Sequence, residues 1–200
     1  MTLKIAPFMK TLRSLILLLS VCATLVSAHA TTVIAPTFDE LLKEAELIFQ
    51  GTVSNVRSDW TGEGDQRRIM TYVTFQVEDA IKGKPGATYT ISMLGGTVGD
   101  RTMEVTDSPK FKVGDKDVVF VQNNGSQFIP LVGIMHGRFR IQRDQAGKEG
   151  VFTNSGAPLT DLAQLGRDEH AATSGNAIPL AQLKLQAREK LERIGTKLPQ

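Results

Sequence analysis

Beyond residue 30 the chain has two histidines, His136 and His170, and each could bind a metal or move a proton. A zinc centre needs three or four protein ligands, and no second histidine lies near either one. The single cysteine is Cys22, so residues 31–200 offer no thiolate ligand and no disulfide. His136, in Ile134-Met135-His136-Gly137, therefore reads as an ordinary loop histidine, and His170 as part of a polar linker. Asp115 and Asp117 could chelate calcium, but the ligand spacing of a calcium loop is absent, and they read as a solvated turn entering a strand. Glu78 and Asp79 end a strand beside Lys82 and read as surface charges. Gly95-Gly96-Thr97-Val98-Gly99-Asp100 could approach a ligand closely. It lacks the Lys-Ser/Thr ending of a phosphate loop, and no Gly-x-Ser-x-Gly elbow occurs anywhere. No catalytic, metal or cofactor-binding residue is assigned.

Arg138, Arg140 and Arg143 share one side of a strand whose other side carries Phe139 and Ile141. Single-stranded nucleic acid would require exposed aromatics among such charges, and here the aromatics fall on apolar faces. The arginines read as a solvated strand face. Trp60 stands apart: it lies in a polar stretch, where an exposed aromatic can anchor a partner or fold back over the end of a barrel.

The segments that must carry these residues follow from pattern. Residues 1–30 have the form of a secretory signal: Lys4, Lys10 and Arg13, an apolar run from Leu15 to Val26, and small residues before a cleavage point after Ala30. Cys22, preceded by Val21 and inside the apolar run, reads as part of the removed signal and not as a lipid-modified terminus. The run is short of the ~20 residues of a membrane span. The whole chain holds 23 Lys plus Arg against 21 Asp plus Glu. Removing the leader takes away three cations and no anion, leaving 20 against 21. A near-neutral remainder gives no electrostatic reason to bind nucleic acid.

Thr37 and Glu40 form a capping-box pair for a short helix with Leu41, Leu42, Ala45 and Ile48 on one face. Strands are expected over about Leu47–Arg57, Thr71–Val77 and Tyr89–Met93. Further strands are expected at Arg101–Val105, Val118–Val121, Gln127–Val132, Gly137–Arg143 and Val151–Thr153. Gly51 suggests a bulge. Val118-Val119-Phe120-Val121 suits a strand covered on both faces. Ser58–Arg68 reads as a loop, and Asn123-Asn124-Gly125 as a hairpin turn. Leu159–Leu165 reads as a short helix and Gly166–Asn176 as a flexible linker. Pro179–Ile194 reads as an amphipathic helix ended by Gly195. The expected organisation is a signal over 1–30, a small β-barrel or sandwich over 31–154 and a separable helical tail over 155–200.

The order helix, strand, strand, Lys82-Gly83-Lys84-Pro85-Gly86, strand, Phe111-Lys112-Val113-Gly114-Asp115, strand resembles bacterial secreted members of the netrin-like superfamily, related to tissue inhibitors of metalloproteinases. The positions that carry it are Ala45 to Val53, Val73 to Val77 with Ile81-Lys82-Gly83, Thr88 to Ile91, and Phe111 to Asp115 with Val118-Val119-Phe120. It spans roughly residues 38 to 143. The resemblance implies a mainly β chain with an OB-like small barrel, and a secreted metalloprotease as partner. It also implies that Thr31 and Thr32, at the new N-terminus, would meet that partner. The inhibitors' N-terminal cysteine is missing here. The expected function is that of a secreted or periplasmic non-enzymatic binding module, with Thr31, Thr32 and Trp60 as partner-binding residues. A glycan-binding or structural envelope protein is the alternative, and an enzyme the third reading.

Overall fold

A computed structural model of the chain describes residues 35–144, 146–166 and 175–197. Helix α1 (Phe38–Glu44) begins at Thr37, whose side chain accepts the Glu40 N–H while the Glu40 carboxylate takes the Thr37 N–H at 2.7 Å. That reciprocal pair satisfies two of the N–H groups a helix start leaves free. The other end of α1 is held by Lys82, whose ammonium donates to the carbonyls of Leu42 (2.7 Å) and Ala45 (2.5 Å). A cation there complements the helix dipole.

The strands are β1 (Leu47–Thr61), β2 (Arg68–Lys82), β3 (Thr88–Leu94), β4 (Gly96–Val98), β5 (Arg101–Met103), β6 (Lys116–Val121), β7 (Arg138–Arg143) and β8 (Glu149–Phe152). Six form one antiparallel sheet in the order β3-β2-β1-β6-β7-β8, and β4 and β5 pair separately. The chain is mainly β with a helix near each end of the described region, as its pattern predicts. The sheet is not closed into a barrel. Its outer strands, β3 and β8, do not pair with each other because loops occupy both edges. On β3, the Asn124 side chain accepts the Ser92 N–H (3.0 Å) and donates to the Thr90 carbonyl (2.9 Å), and the Leu94 N–H reaches the Phe128 carbonyl. On β8, Val151 N–H bonds to Ile178 and its carbonyl takes the Leu159 N–H.

Alternation divides the apolar residues between the two faces of this sheet. Phe49, Val53, Val73, Phe75, Ile91, Val119 and Val121 build one cluster with Phe111, Ile129 and Leu131. Phe75 lies edge-on to both Phe49 and Phe111. Ile48, Val118, Phe120, Phe139 and Ile141 face the other way and meet α1 and the C-terminal helix α2 (Leu180–Lys197). The unbroken apolar run of β6 is thus covered on both faces. Register shifts beside Gly51 provide the expected bulge, and a Cβ there would lie 2.6 Å from the Gln76 carbonyl oxygen.

Three expectations are corrected. Leu183 and Ala187 are fully buried with strand residues, and Lys184 and Arg188 pair with Asp79, so α2 is a layer of the fold and not a separable tail. It also runs two residues past Gly195. The segment expected to be a loop from Ser58 is largely strand: β1 and β2 continue as a two-stranded ribbon to the Thr61↔Arg68 pair. Cross-strand polar contacts, such as Ser58 to Thr71 at 2.8 Å, add to the pairing there, and Ile69 on β2 is buried. Gln127–Val132 makes a single bridge, Leu131 to Val121, because Pro130 has no N–H to extend the ladder.

Candidate functional site

The ribbon, the β4–β5 hairpin and residues 108–111 enclose a cleft of about 210 Å³. Val56, Met93, Met103, Val105 and Phe111 supply apolar walls, and Ser58 and Thr71 supply hydroxyls. Gly95 and Gly96 bring the hairpin onto this floor. Both have positive φ, and a Cβ on Gly96 would collide with the Thr71 and Ser58 hydroxyl oxygens. The glycine-rich segment flagged by its composition is therefore an ordered close approach, and only Gly99-Asp100 turns freely at its tip.

The wall at Lys110-Phe111 is held from behind by a buried ionic triad. Arg138 bonds the Asp117 carboxylate through Nε (3.0 Å) and Nη2 (3.1 Å), and Asp115 through Nη2 (2.8 Å). Its Nη1 donates to the Lys110 carbonyl at 2.7 Å, and the guanidinium lies 4.0 Å from the Phe111 ring centroid. Asp117 is fully buried and Arg138 is 2% exposed. Burial pushes the Asp117 carboxyl up to about 6, against the pull of Arg138, and the nearby Asp115 charge adds to the rise. Burial sets that direction, and the second carboxylate on the same guanidinium adds to it in a smaller way.

A second network lies on the helix-covered face. Glu78 accepts from Gln50 and Thr52 and pairs with Lys116, which also pairs with Glu149 at 3.0 Å. Burial opposes ionisation of Glu78, yet the Thr52 and Lys116 contacts leave its carboxyl below the ordinary range. Lys116 is raised, its two carboxylate partners outweighing burial. This network fastens β1, β2, β6 and β8, and Lys184 ties α2 to Gln50 and Asp79.

The residues singled out in the sequence are not all brought together. Thr31, Thr32 and His170 lie outside the described residues. His136 sits half-buried in the 3-10 turn Ile134–Gly137, away from any cluster of ligands; among the described residues no group of three or more His, Asp or Glu is placed to hold a metal. Trp60 is on β1, paired with Ile69, 36% exposed, with the Arg67 guanidinium 4.5 Å from its ring. It occupies the same strand face as Ser58, two residues on, beyond the residues that line the cleft. The first described residues are elsewhere. Pro36 packs at Gly133, beside the Val132–Phe120 bond, and Phe120 pairs with Ile48. From Ile48 to Trp60 is roughly 40 Å of strand contour. Arg138, read as solvated, is buried, and Asp117 with it. The signal available was the spacing: Asp115, just before β6, and Asp117 on it are two residues apart, as are Arg138 and Arg140 on β7, and Asp117 lies directly opposite Arg140.

No protein-family model, curated protein or solved structure matches the chain.

Proposed function

We propose that this chain is an exported, non-enzymatic binding module that engages a protein partner through the face shared by Trp60 and the cleft. The observation that carries the reading is the placement of a part-exposed tryptophan on the same strand face as a cleft with one apolar side. Buried aromatic anchors beside apolar pockets are the usual centres of protein interfaces. The ring's other environment favours a protein over a glycan: Trp60 and Tyr72 point to opposite faces of the ribbon, since their pairs, Trp60↔Ile69 and Arg57↔Tyr72, are three residues apart. They form no shared aromatic platform.

The resemblance to metalloprotease inhibitors supplies the partner class, a secreted zinc protease. A free α-amino group at Thr31 would be neutral enough near its pKa of about 8 to ligate an open zinc position. Ordering a loose end costs roughly 1–2 kcal/mol per residue. Here Pro36 is wedged at Gly133, and Thr37 both packs at Gly166 and is locked to Glu40.

The test is binding and inhibition across a panel of secreted zinc proteases by the protein beginning at Thr31, by Trp60→Ala, and by a form with one extra N-terminal residue. Inhibition abolished by the extra residue supports chelation. Binding lost in Trp60→Ala alone places the contact on the cleft face. No binding by any of the three rules out the metalloprotease partner.

A further inference from the structure

The hydroxyls on the cleft floor have a fixed polarity. Thr71 Oγ1 lies 2.6 Å from the Gly95 carbonyl oxygen, which can only accept, so the Thr71 proton is committed there. Ser58 Oγ lies 2.8 Å from Thr71 Oγ1. With the Thr71 proton spent, Ser58 must be the donor of that contact. Ser58 Oγ therefore meets the cleft with lone pairs and no proton. The floor asks a ligand for one hydrogen-bond donor.

The apolar side of the cleft suits an aromatic ring, while Thr97, Ser108 and Lys110 also line it. Met93 and Met103 present polarisable thioethers, which make favourable contacts with aromatic edges, and Val56, Val105 and Phe111 complete an apolar wall. At about 210 Å³ the space is below the roughly 300–1,000 Å³ of pockets that enclose a whole drug-sized ligand or cofactor. It suits a single side chain. The hairpin over it has a free flank: β5 pairs with β4 and with no other strand among the described residues, so a backbone running past the cleft would find unpaired N–H and C=O groups.

We propose that the cleft is the receptor for one donor-bearing aromatic side chain, tryptophan or tyrosine, presented by a polypeptide partner. This rests on the binding role proposed above and names what the partner inserts. Indole and benzofuran are matched probes, because they share a shape and differ in the N–H donor. Titrated into the whole protein and followed by amide chemical shifts, indole should move Thr71, Gly95 and Gly96, and bind about three- to tenfold tighter than benzofuran, the span of one net hydrogen bond. Ser58→Ala should bring the two probes to equal affinity, with amide shifts elsewhere in the sheet showing that the fold is kept. Equal binding of both probes to the unaltered protein, a preference that survives Ser58→Ala, or no shifts at these amides would overturn the assignment, while binding of a protease through Trp60 would still stand. Selective indole binding with no protein bound by any form would overturn the polypeptide source, and the proposed function with it.

Discussion

Arg138→Met and Asp117→Asn perturb the same buried triad, and the structure predicts very different outcomes. Removing Arg138 leaves Asp115 and the fully buried Asp117 without the guanidinium that bonds both, although the Arg140 charge still acts on Asp117. Breaking a buried pair in this way costs about 3–5 kcal/mol. Neutralising Asp117 is another matter, since Arg138 keeps Asp115 and the Lys110 carbonyl. The Asp117 carboxyl rises from 3.8 to about 6 on folding. That rise corresponds to roughly 3 kcal/mol by which the folded state prefers the neutral form. Against it, the Asn amide turns one of two accepting oxygens into a donor facing Arg138, a penalty of about 1–3 kcal/mol. The gain matches or exceeds the penalty, and Asp117→Asn should be between unchanged and about 2 kcal/mol more stable than the parent at pH 7. The pH dependence separates the contributions. A carboxyl with a raised folded pKa takes its proton in the folded state first, so its contribution to stability grows as pH falls from about 6 towards 3.8 and is absent above about 6. Urea unfolding at several pH values would show this slope in the parent and not in Asp117→Asn. If Asp117→Asn is as damaging as Arg138→Met, or the parent and Asp117→Asn share one pH slope, the reasoning about a shared proton fails.

Phe75→Ala should destabilise by about 3–5 kcal/mol in denaturant unfolding, since the ring is fully buried and packs edge-on against two others; a loss below about 1 kcal/mol would show that the face is misassigned. Truncation before Leu180 should abolish cooperative unfolding, because it strips the cover from Ile48, Val118 and Phe139; a sharp transition in the shortened protein would show that the helix is dispensable. Gly96→Ala should leave the main sheet intact and displace the β4–β5 hairpin, seen as amide shifts at Ser58 and Thr71 and as weakened indole binding. Lys82→Met should cost about 1–2 kcal/mol through lost carbonyl contacts at the end of α1, with circular dichroism reporting any fraying.

Much of this architecture was legible because its causes are local. The row Val73, Phe75, Val77 can serve only a two-residue period, and Thr37 with Glu40 satisfies a helix start within four residues. The apolar run Val118–Val121 announces a strand with two cores, and the structure supplies both. What was not legible depends on partners distant in sequence. The polar residues of Ser58–Thr61 look like a loop because alternation there carries no hydrophobic signal. They are strand because each has a cross-strand partner on β2. A closed barrel was expected from the strand pattern and from resemblance, yet closure depends on whether two edges meet. Asn124, read only as a turn residue, decides that on one side by acting as a surrogate strand for Thr90 and Ser92.

The cleft shows the same dependence at the level of function. Its walls come from five separate stretches of chain, and its shape rests on two details that composition hides. One is a missing Cβ: any side chain at Gly96 would lift the hairpin off the hydroxyls beneath it. The other is a charge read as surface: Arg138 reaches across from β7 to fix the Lys110 carbonyl and the Phe111 ring. A mobile wall would let water into the apolar side and scatter the geometry that makes Ser58 an acceptor. Preorganisation of this kind lowers the ordering cost of binding. The buried triad therefore bears on recognition as well as stability, although no ligand would touch it. Arg138→Met is accordingly expected to weaken indole binding even under conditions where the protein remains folded, whereas Asp117→Asn, which keeps the guanidinium on Phe111, is expected to preserve it. Equal binding by both folded variants would show that the triad supports the fold alone.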